Sequence, residues 1–430
     1  MNPPPSHRAT TAHLQAVYPF VSEGGLGESG PLIGRDLLGD AFRFDPWDLY
    51  GSGALTNPNL VVVGQIGRGK SSLIKTIVWR LLAFGRRAWI VDPKGEYGPL
   101  AEACGSRPIR LQPGGAVRLN PLDIVDAGET VSGEEVVRRR TDLVCSLLGS
   151  SLGRQLSPGE RTAVELALRA ASAGGRRPSL RDVVAALLDP DGELASTVRT
   201  DVLGLADEGR AAALELRRLV DGDLSGMFDG PTCAGLDLGS SVVTLDLSAV
   251  FSSPALPVLM TCATAWLQAV LAAERGAKRL VVVDEAWAIL RNLSTARWLQ
   301  STFKLSRALG VANLAVVHRL SDLRAVGADG SAEQRLAEGL LADSETRVVF
   351  GQAPSEADVT RRLLGLTTTE RDLITQLPRG VALWKVGERS FLVEHAIGPA
   401  EAPLVDTDGA MRDNPRQFDG IPTESIGTEG

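Results

Sequence analysis

Between positions 64 and 71 the chain reads Gly-Gln-Ile-Gly-Arg-Gly-Lys-Ser, a spacing that lets backbone wrap around phosphate. Glycines at 64, 67 and 69 allow the N–H groups of Gly64, Gln65, Ile66, Gly67, Arg68, Gly69 and Lys70 to converge on one anion. The first turn of a following helix, with Ser71 and Ser72, adds its positive dipole end. Lys70 is then positioned to reach the β- and γ-phosphates, and Ser71 to offer its hydroxyl to Mg²⁺. A glycine turn with a chance lysine would carry the same letters. The strand-like LVVVG that leads in and the helical SSLIKTIVWRLLAFG that follows supply the context such a turn lacks.

A second group of residues could do the chemistry itself. Leu280–Val283 are four apolar residues running into Asp284 and Glu285, which places both acids at the C-terminal end of a buried strand. Asp284 can hold Mg²⁺, directly or through water, and Glu285 can polarise an attacking water as general base. A strand cap or solvated turn is the competing reading for either acid alone. Glu285 lies 214 positions beyond Ser71, so the acidic strand is not the one that follows the loop's helix. That order, with Glu beside Asp, fits hydrolysing P-loop machines better than small-molecule kinases or switch GTPases. No N-K-x-D or T-K-x-D motif is present, so ATP is expected rather than GTP.

The strand-like VANLAVVH ends in His318, in place for a polar sensor of the γ-phosphate or the water; a histidine satisfied at a strand end would read alike. Arg307 lies 22 positions after Glu285 and 11 before His318. From a neighbouring subunit it could neutralise charge on the transferring phosphoryl group. Among 39 arginines a solvated role competes with that one, and Arg347 is the second candidate.

These residues need an α/β frame. Strand, glycine loop, helix and the strand AWIVD (88–92) form a βαβ unit. Strand-like runs vanish between about 128 and 228, where helical periodicity takes over. Ser157-Pro158-Gly159-Glu160 spells a capping box with Pro at the first helical position. Strands return with SVVTLDL, RLVVVDEAW, VANLAVVH and TRVVFGQ, and ALWKVGERSFLVEH predicts a terminal hairpin. The expected organisation is an irregular lead-in at 1–58, an α/β core over 59–127 and 229–399, an all-helical insertion at 128–228, and a flexible acidic tail at 400–430.

Composition narrows the class. Hydrophobic residues make up 44% and charged residues 23% of 430, which excludes a mostly disordered or fibrous chain. The net charge is −7, and residues 400–430 hold seven acids against Arg412 and Arg416. No global basic footprint points to non-specific nucleic-acid binding. Four scattered cysteines argue against a zinc ribbon or a disulfide framework. The N-terminus shows no apolar segment of the secretion-signal type. The uncharged stretch between Asp246 and Glu274 invites a membrane-span reading, but its prolines, serines and Gln268 favour a strand, a turn and a buried helix.

With DPKGEY (92–97), DEAW (284–287), NPNLVVVG, RLNPLD and KLSRALGVAN added to the phosphate loop, residues of about 45–395 resemble the FtsK/HerA superfamily. They are most similar to the motor domain of the ATPases that energise conjugation and type IV secretion. The resemblance implies a RecA-like core, ATP and Mg²⁺ as ligands, a hexameric ring with ATP sites between subunits, and work at the cytoplasmic face of the membrane. It also implies docking to membrane-associated channel proteins, DNA as a candidate substrate, and no integral membrane segment. Lys70 and Ser71 carry over as nucleotide and Mg²⁺ ligands, Asp284 as the Walker B acid, Glu285 as the base and Arg307 as the arginine finger. The family's sensor is commonly glutamine, here His318, and the large N-terminal domain of secretion ATPases has no counterpart. Two alternatives stay open: a DNA translocase of the same superfamily, and an assembly subunit whose ATP site is structural.

Overall fold

The computed structural model of the protein describes residues 25–37, 41–123, 132–273, 278–290, 293–321, 335, 339 and 341–405. Strands are β1 (Leu32–Asp36), β2 (Ala41–Arg43), β3 (Leu60–Val63), β4 (Arg87–Asp92), β5 (Ile109–Arg110) and β6 (Val242–Asp246). They continue with β7 (Arg279–Val283), β8 (Val311–Val317), β9 (Thr346–Phe350), β10 (Val381–Val386) and β11 (Arg389–His395). The helices before β6 are α1 (Pro46–Gly51), α2 (Lys70–Ala83), α3 (Gly98–Ala103), α4 (Gly133–Leu152), α5 (Pro158–Ala171), α6 (Leu180–Leu188), α7 (Gly192–Thr197) and α8 (Val202–Asp221). Those after it are α9 (Leu256–Ala273), α10 (Trp287–Leu290), α11 (Leu293–Leu309), α12 (Pro354–Leu364), α13 (Thr368–Ile374) and α14 (Ala402–Val405).

The eleven strands among the described residues join one sheet, in the order β2-β1-β11-β10-β9-β3-β8-β7-β4-β6-β5. The seven from β9 to β5 run parallel, and β10, β11, β1 and β2 extend them antiparallel. This is an α/β fold with a RecA-like P-loop core and an inserted helical block. Both faces of the parallel part are covered, which is why its strands read as unbroken Val/Ile/Leu runs. Alternation along β3 divides the core. Leu60 and Val62 pack on the side of α2, Val61 and Val63 on the side of α4, α9 and α11.

Three expectations meet the structure here. Between β5 and β6 the regular elements among the described residues are all helices, and α5 starts with the expected capping box, Ser157 and Glu160 each accepting from the other's backbone. The uncharged stretch becomes β6, a short 3₁₀ turn and α9, with Trp266 buried and its Nε1 donating to Thr232 Oγ1 at 3.1 Å. No helix among the described residues is long and apolar enough to cross a membrane. The lead-in requires correction. Residues 32–36 and 41–43 are strands rather than irregular chain, and Ile33, Phe42 and Phe44 are fully buried. Phe42 and Phe44 pack tilted and edge-on against Trp384 of β10, with ring centres 5.0 and 5.1 Å away. Two short strands broken by Gly34 carry too little period-2 pattern to be read locally; their stability comes from pairing with β11, 359 positions away for Arg35 and Glu394.

The acidic tail also departs from expectation at its start. Glu401 pairs with Arg80 of α2 at 2.6 Å, and α14 follows it against α2. Residues 406–430 lie outside the described residues, as do 1–24 of the lead-in and 124–131 at the insertion's entry.

Candidate active site

The phosphate loop leaves the fully buried β3 at Gly64. A Cβ there would stand 2.5 Å from Phe350 Cβ of β9, so only glycine lets the loop pass its neighbour strand. Gly67 and Gly69 take positive φ of 77° and 109°, the left-handed backbone that glycine adopts without a steric penalty. The loop then enters α2, whose first residue is Lys70. Its Nζ donates to the carbonyls of Gly64 at 2.6 Å and Gln65 at 2.9 Å. Burial lowers the Lys70 pKa to about 8, against the opposing pull of Asp284 and Glu285. Ser71 is half-buried in the first turn of α2. Ser72 is engaged elsewhere, its hydroxyl donating to Val405 O at 3.3 Å. Gln65 accepts from Arg68 at 3.3 Å, and Ile66 stands 80% exposed at the loop's tip.

The acids arrive from β7. One strand, β8, lies between β3 and β7, so the ends of all three strands face the same region. The chain after β7 stays tied to both neighbours, Asp284 N–H donating to Val91 O and Ala286 N–H to Val316 O. Between them Glu285 adopts φ +50°, an uncommon conformation for a residue with a side chain and one that recurs at functional sites. Both acids are buried, at 3% and 2% exposure. Burial, followed by the neighbouring Glu285 carboxylate, raises the Asp284 pKa to about 6. Its Oδ2 accepts from the Tyr97 hydroxyl at 3.3 Å, and its Oδ1 from Glu285 N–H at 2.8 Å.

Glu285 differs. Burial alone would raise its pKa, yet hydrogen bonds from His318 and Lys94 outweigh burial and hold it at about 2. His318 Nε2 lies 2.6 Å from Glu285 Oε1. The Lys94 ammonium pairs with that same oxygen, and Trp287 Nε1 donates to Oε2. His318 Nδ1 is buried without a partner among the described residues, so the tautomer that uses the ring places its proton on Nε2. Gln65, Ile66, Arg68, Lys94, Phe251, Glu285, Trp287, His318 and Arg319 line one open cleft of about 630 Å³.

The donor set fits Mg²⁺. Among the described residues no cluster of three or more His, Cys, Asp or Glu is placed to chelate a metal. One buried carboxylate at the end of β7 and one serine hydroxyl in the first turn of α2 make the sparse protein contribution that Mg²⁺ takes when phosphates and waters complete its shell.

Lys70, Ser71, Asp284, Glu285 and His318 thus gather at the C-terminal ends of β3, β7 and β8. Arg307 does not join them. It is exposed near the end of α11, three residues before Gly310 leads into β8, whereas His318 follows β8 directly. Seven strand residues rise roughly 23 Å, so Arg307 cannot reach its own chain's loop. It borders a separate hollow with Asn59, Lys304 and Asp343. Arg347 serves the fold: it donates to Ser344 O at 3.2 Å and Leu364 O at 3.0 Å. The sequence reading gave no role to Lys94, Trp287 or Arg319. DPKGEY carried the signal for Lys94, a lysine two residues beyond a parallel strand, but its partner is fixed only by strand order.

Comparison with known proteins agrees with this frame. The family described as an AAA-like domain matches residues 50–124. The structure of VirB4 of Thermoanaerobacter pseudethanolicus superposes with a TM-score of 0.71 at 20% identity, covering 88% of this chain and all of that one. The plasmid coupling protein TrwB, in complex with ADP and Mg²⁺, superposes with a TM-score of 0.59 at 18% identity over 86% of this chain and 91% of its own. Its unbound form gives 0.57 at 17% identity. No curated protein matches by sequence. The FtsK/HerA-type resemblance therefore holds at the level of the fold.

Proposed function

We propose that the chain is an ATP-hydrolysing motor that works as a homo-oligomer, a hexameric ring, and energises conjugative DNA transfer or type IV secretion at the inner face of the cell membrane. The carrying observation is the convergence of Lys70, Asp284, Glu285 and His318 at the ends of three adjacent parallel strands. The fold shared with VirB4 and with TrwB, which was solved with ADP and Mg²⁺, supports the same reading. In it the loop N–H groups and Lys70 bind the β- and γ-phosphates, and Lys70 would exchange its two loop carbonyls for phosphate oxygens. Ser71 and Asp284 would hold Mg²⁺, which supplies charge neutralisation at the phosphates when bound. Glu285 takes the proton of the attacking water, and His318 holds Glu285 and reads the terminal phosphate. Arg307, at the opposite end of the parallel strands, serves the next subunit's site. Channel proteins of the membrane and DNA are the partners this role requires.

The test is phosphate release by the purified chain with Mg²⁺ and ATP, with and without DNA, beside Lys70→Ala. Removing one positioned donor of this type costs about 10²–10³ in turnover, and the variant should also bind ATP more weakly. Equal turnover in Lys70→Ala would refute the reading. Stimulation by DNA would mark DNA as the substrate, and its absence would favour protein secretion.

A further inference from the structure

The turn between β4 and α3 reaches both acids at once. Asp92 is fully buried, and its carboxylate fixes the turn. Oδ1 accepts from the N–H groups of Lys94, Gly95 and Glu96 at 3.2, 2.8 and 3.2 Å, and Oδ2 from that of Tyr97 at 2.9 Å. A turn held by four such bonds delivers its side chains to set points. Tyr97 goes to Asp284. Lys94 goes to Glu285 Oε1 and lies 3.5 Å from His318 Nε2.

Glu285 consequently has both oxygens engaged, Oε1 by Lys94 and His318, Oε2 by Trp287. That arrangement orients the carboxylate but competes with a water proton for its lone pairs. The three donors differ in freedom. His318 and Trp287 carry short, rigid rings. Lys94 has a four-carbon stem, its side chain is 29% exposed, and it borders the cleft beside Gln65 and Arg68 with its Nζ 5.9 Å from the Phe251 ring centre. An ammonium on such a stem is the donor that an entering polyanion can draw away.

We infer that Lys94 is a catalytic residue that first positions Glu285: it aligns Glu285 before nucleotide arrives and transfers to the anionic end of the triphosphate when it does, freeing Glu285 Oε1 for the water. This rests on the ATPase reading above. The test is kcat, KM and ATP affinity for Lys94→Ala, Lys94→Met and Lys94→Arg. A small misplacement of a reacting group costs up to about 100-fold. We expect kcat to fall about 10- to 100-fold in the Ala and Met variants, with a smaller loss of ATP affinity, because one phosphate contact goes while the loop and Lys70 keep theirs. Arginine, which keeps the charge, should recover part of kcat. Unchanged kcat in Lys94→Ala and Lys94→Met would overturn the inference. So would a joint loss of kcat and affinity that Lys94→Arg does not recover, since that marks a part of the fold and not of the step. A wild type that binds ATP without turnover would remove the ATPase reading, and the inference with it. A wild type whose turnover the Lys94→Ala variant matches would remove the inference alone.

Discussion

Glu285→Gln is expected to lower ATP turnover by about 10²- to 10⁴-fold, the range for loss of a positioned general base, while ATP affinity stays within about threefold of wild type. The geometry explains the asymmetry. Glu285 stands at the end of β7, outside the loop that binds phosphate, and none of the loop's contacts depends on it. Glutamine keeps the shape and one accepting oxygen, so it can still receive a hydrogen bond from His318. It cannot take the proton of water. The substitution also ends the ion pair with Lys94, whose partly exposed side chain can turn to solvent, so the fold survives. The checks are steady-state phosphate release and titration with a fluorescent ATP analogue. Wild-type turnover in Glu285→Gln would show that the carboxylate is structural and that another group activates water. The depressed pKa of about 2 means that the carboxylate is ionised across the neutral range, and the hydrogen bonds from His318 and Lys94 that depress it also weaken it as a base until one of them is released.

Arg307→Ala is expected to cost about 10³-fold in turnover, the lower end for a charge-stabilising arginine supplied by a neighbour, with ATP affinity nearly unchanged. Its position at the opposite end of the strands from the site makes a contribution to its own site impossible, so the loss is expected to arise between chains. Mixing separates this from a local defect. Chains carrying only Glu285→Gln and chains carrying only Arg307→Ala are each inactive alone. In mixed rings, some interfaces pair an intact Glu285 with an intact Arg307, and turnover should return in part. Mixtures that remain inactive, with assembly intact, would place Arg307 outside the active site altogether.

The phosphate loop was legible because its signal is local: three glycines, a β-branched run before them and a helix after. The hairpin of β10 and β11, the helical block and the Ser157–Glu160 cap were legible for the same reason. The lead-in was not, because β1 and β2 are short and depend on β11 at the other end of the chain. Lys94 lies 191 positions from Glu285, and nothing near it in sequence reveals that β4 and β7 are neighbours. Ser72 belongs to the loop motif by spacing, yet the arrival of α14 gives its hydroxyl a backbone partner. Arg307 was legible as a candidate, but only the direction of β8 shows which end of the sheet it occupies.

The most direct measurement is phosphate release per chain by the wild-type protein with Mg²⁺ and ATP across a protein concentration series. An active site completed by a neighbouring subunit predicts a specific rate that climbs with concentration, levels off once assembly is complete, and is lost in Lys70→Ala. A protein that binds ATP but releases no phosphate at any concentration, assembled or not, would contradict the account.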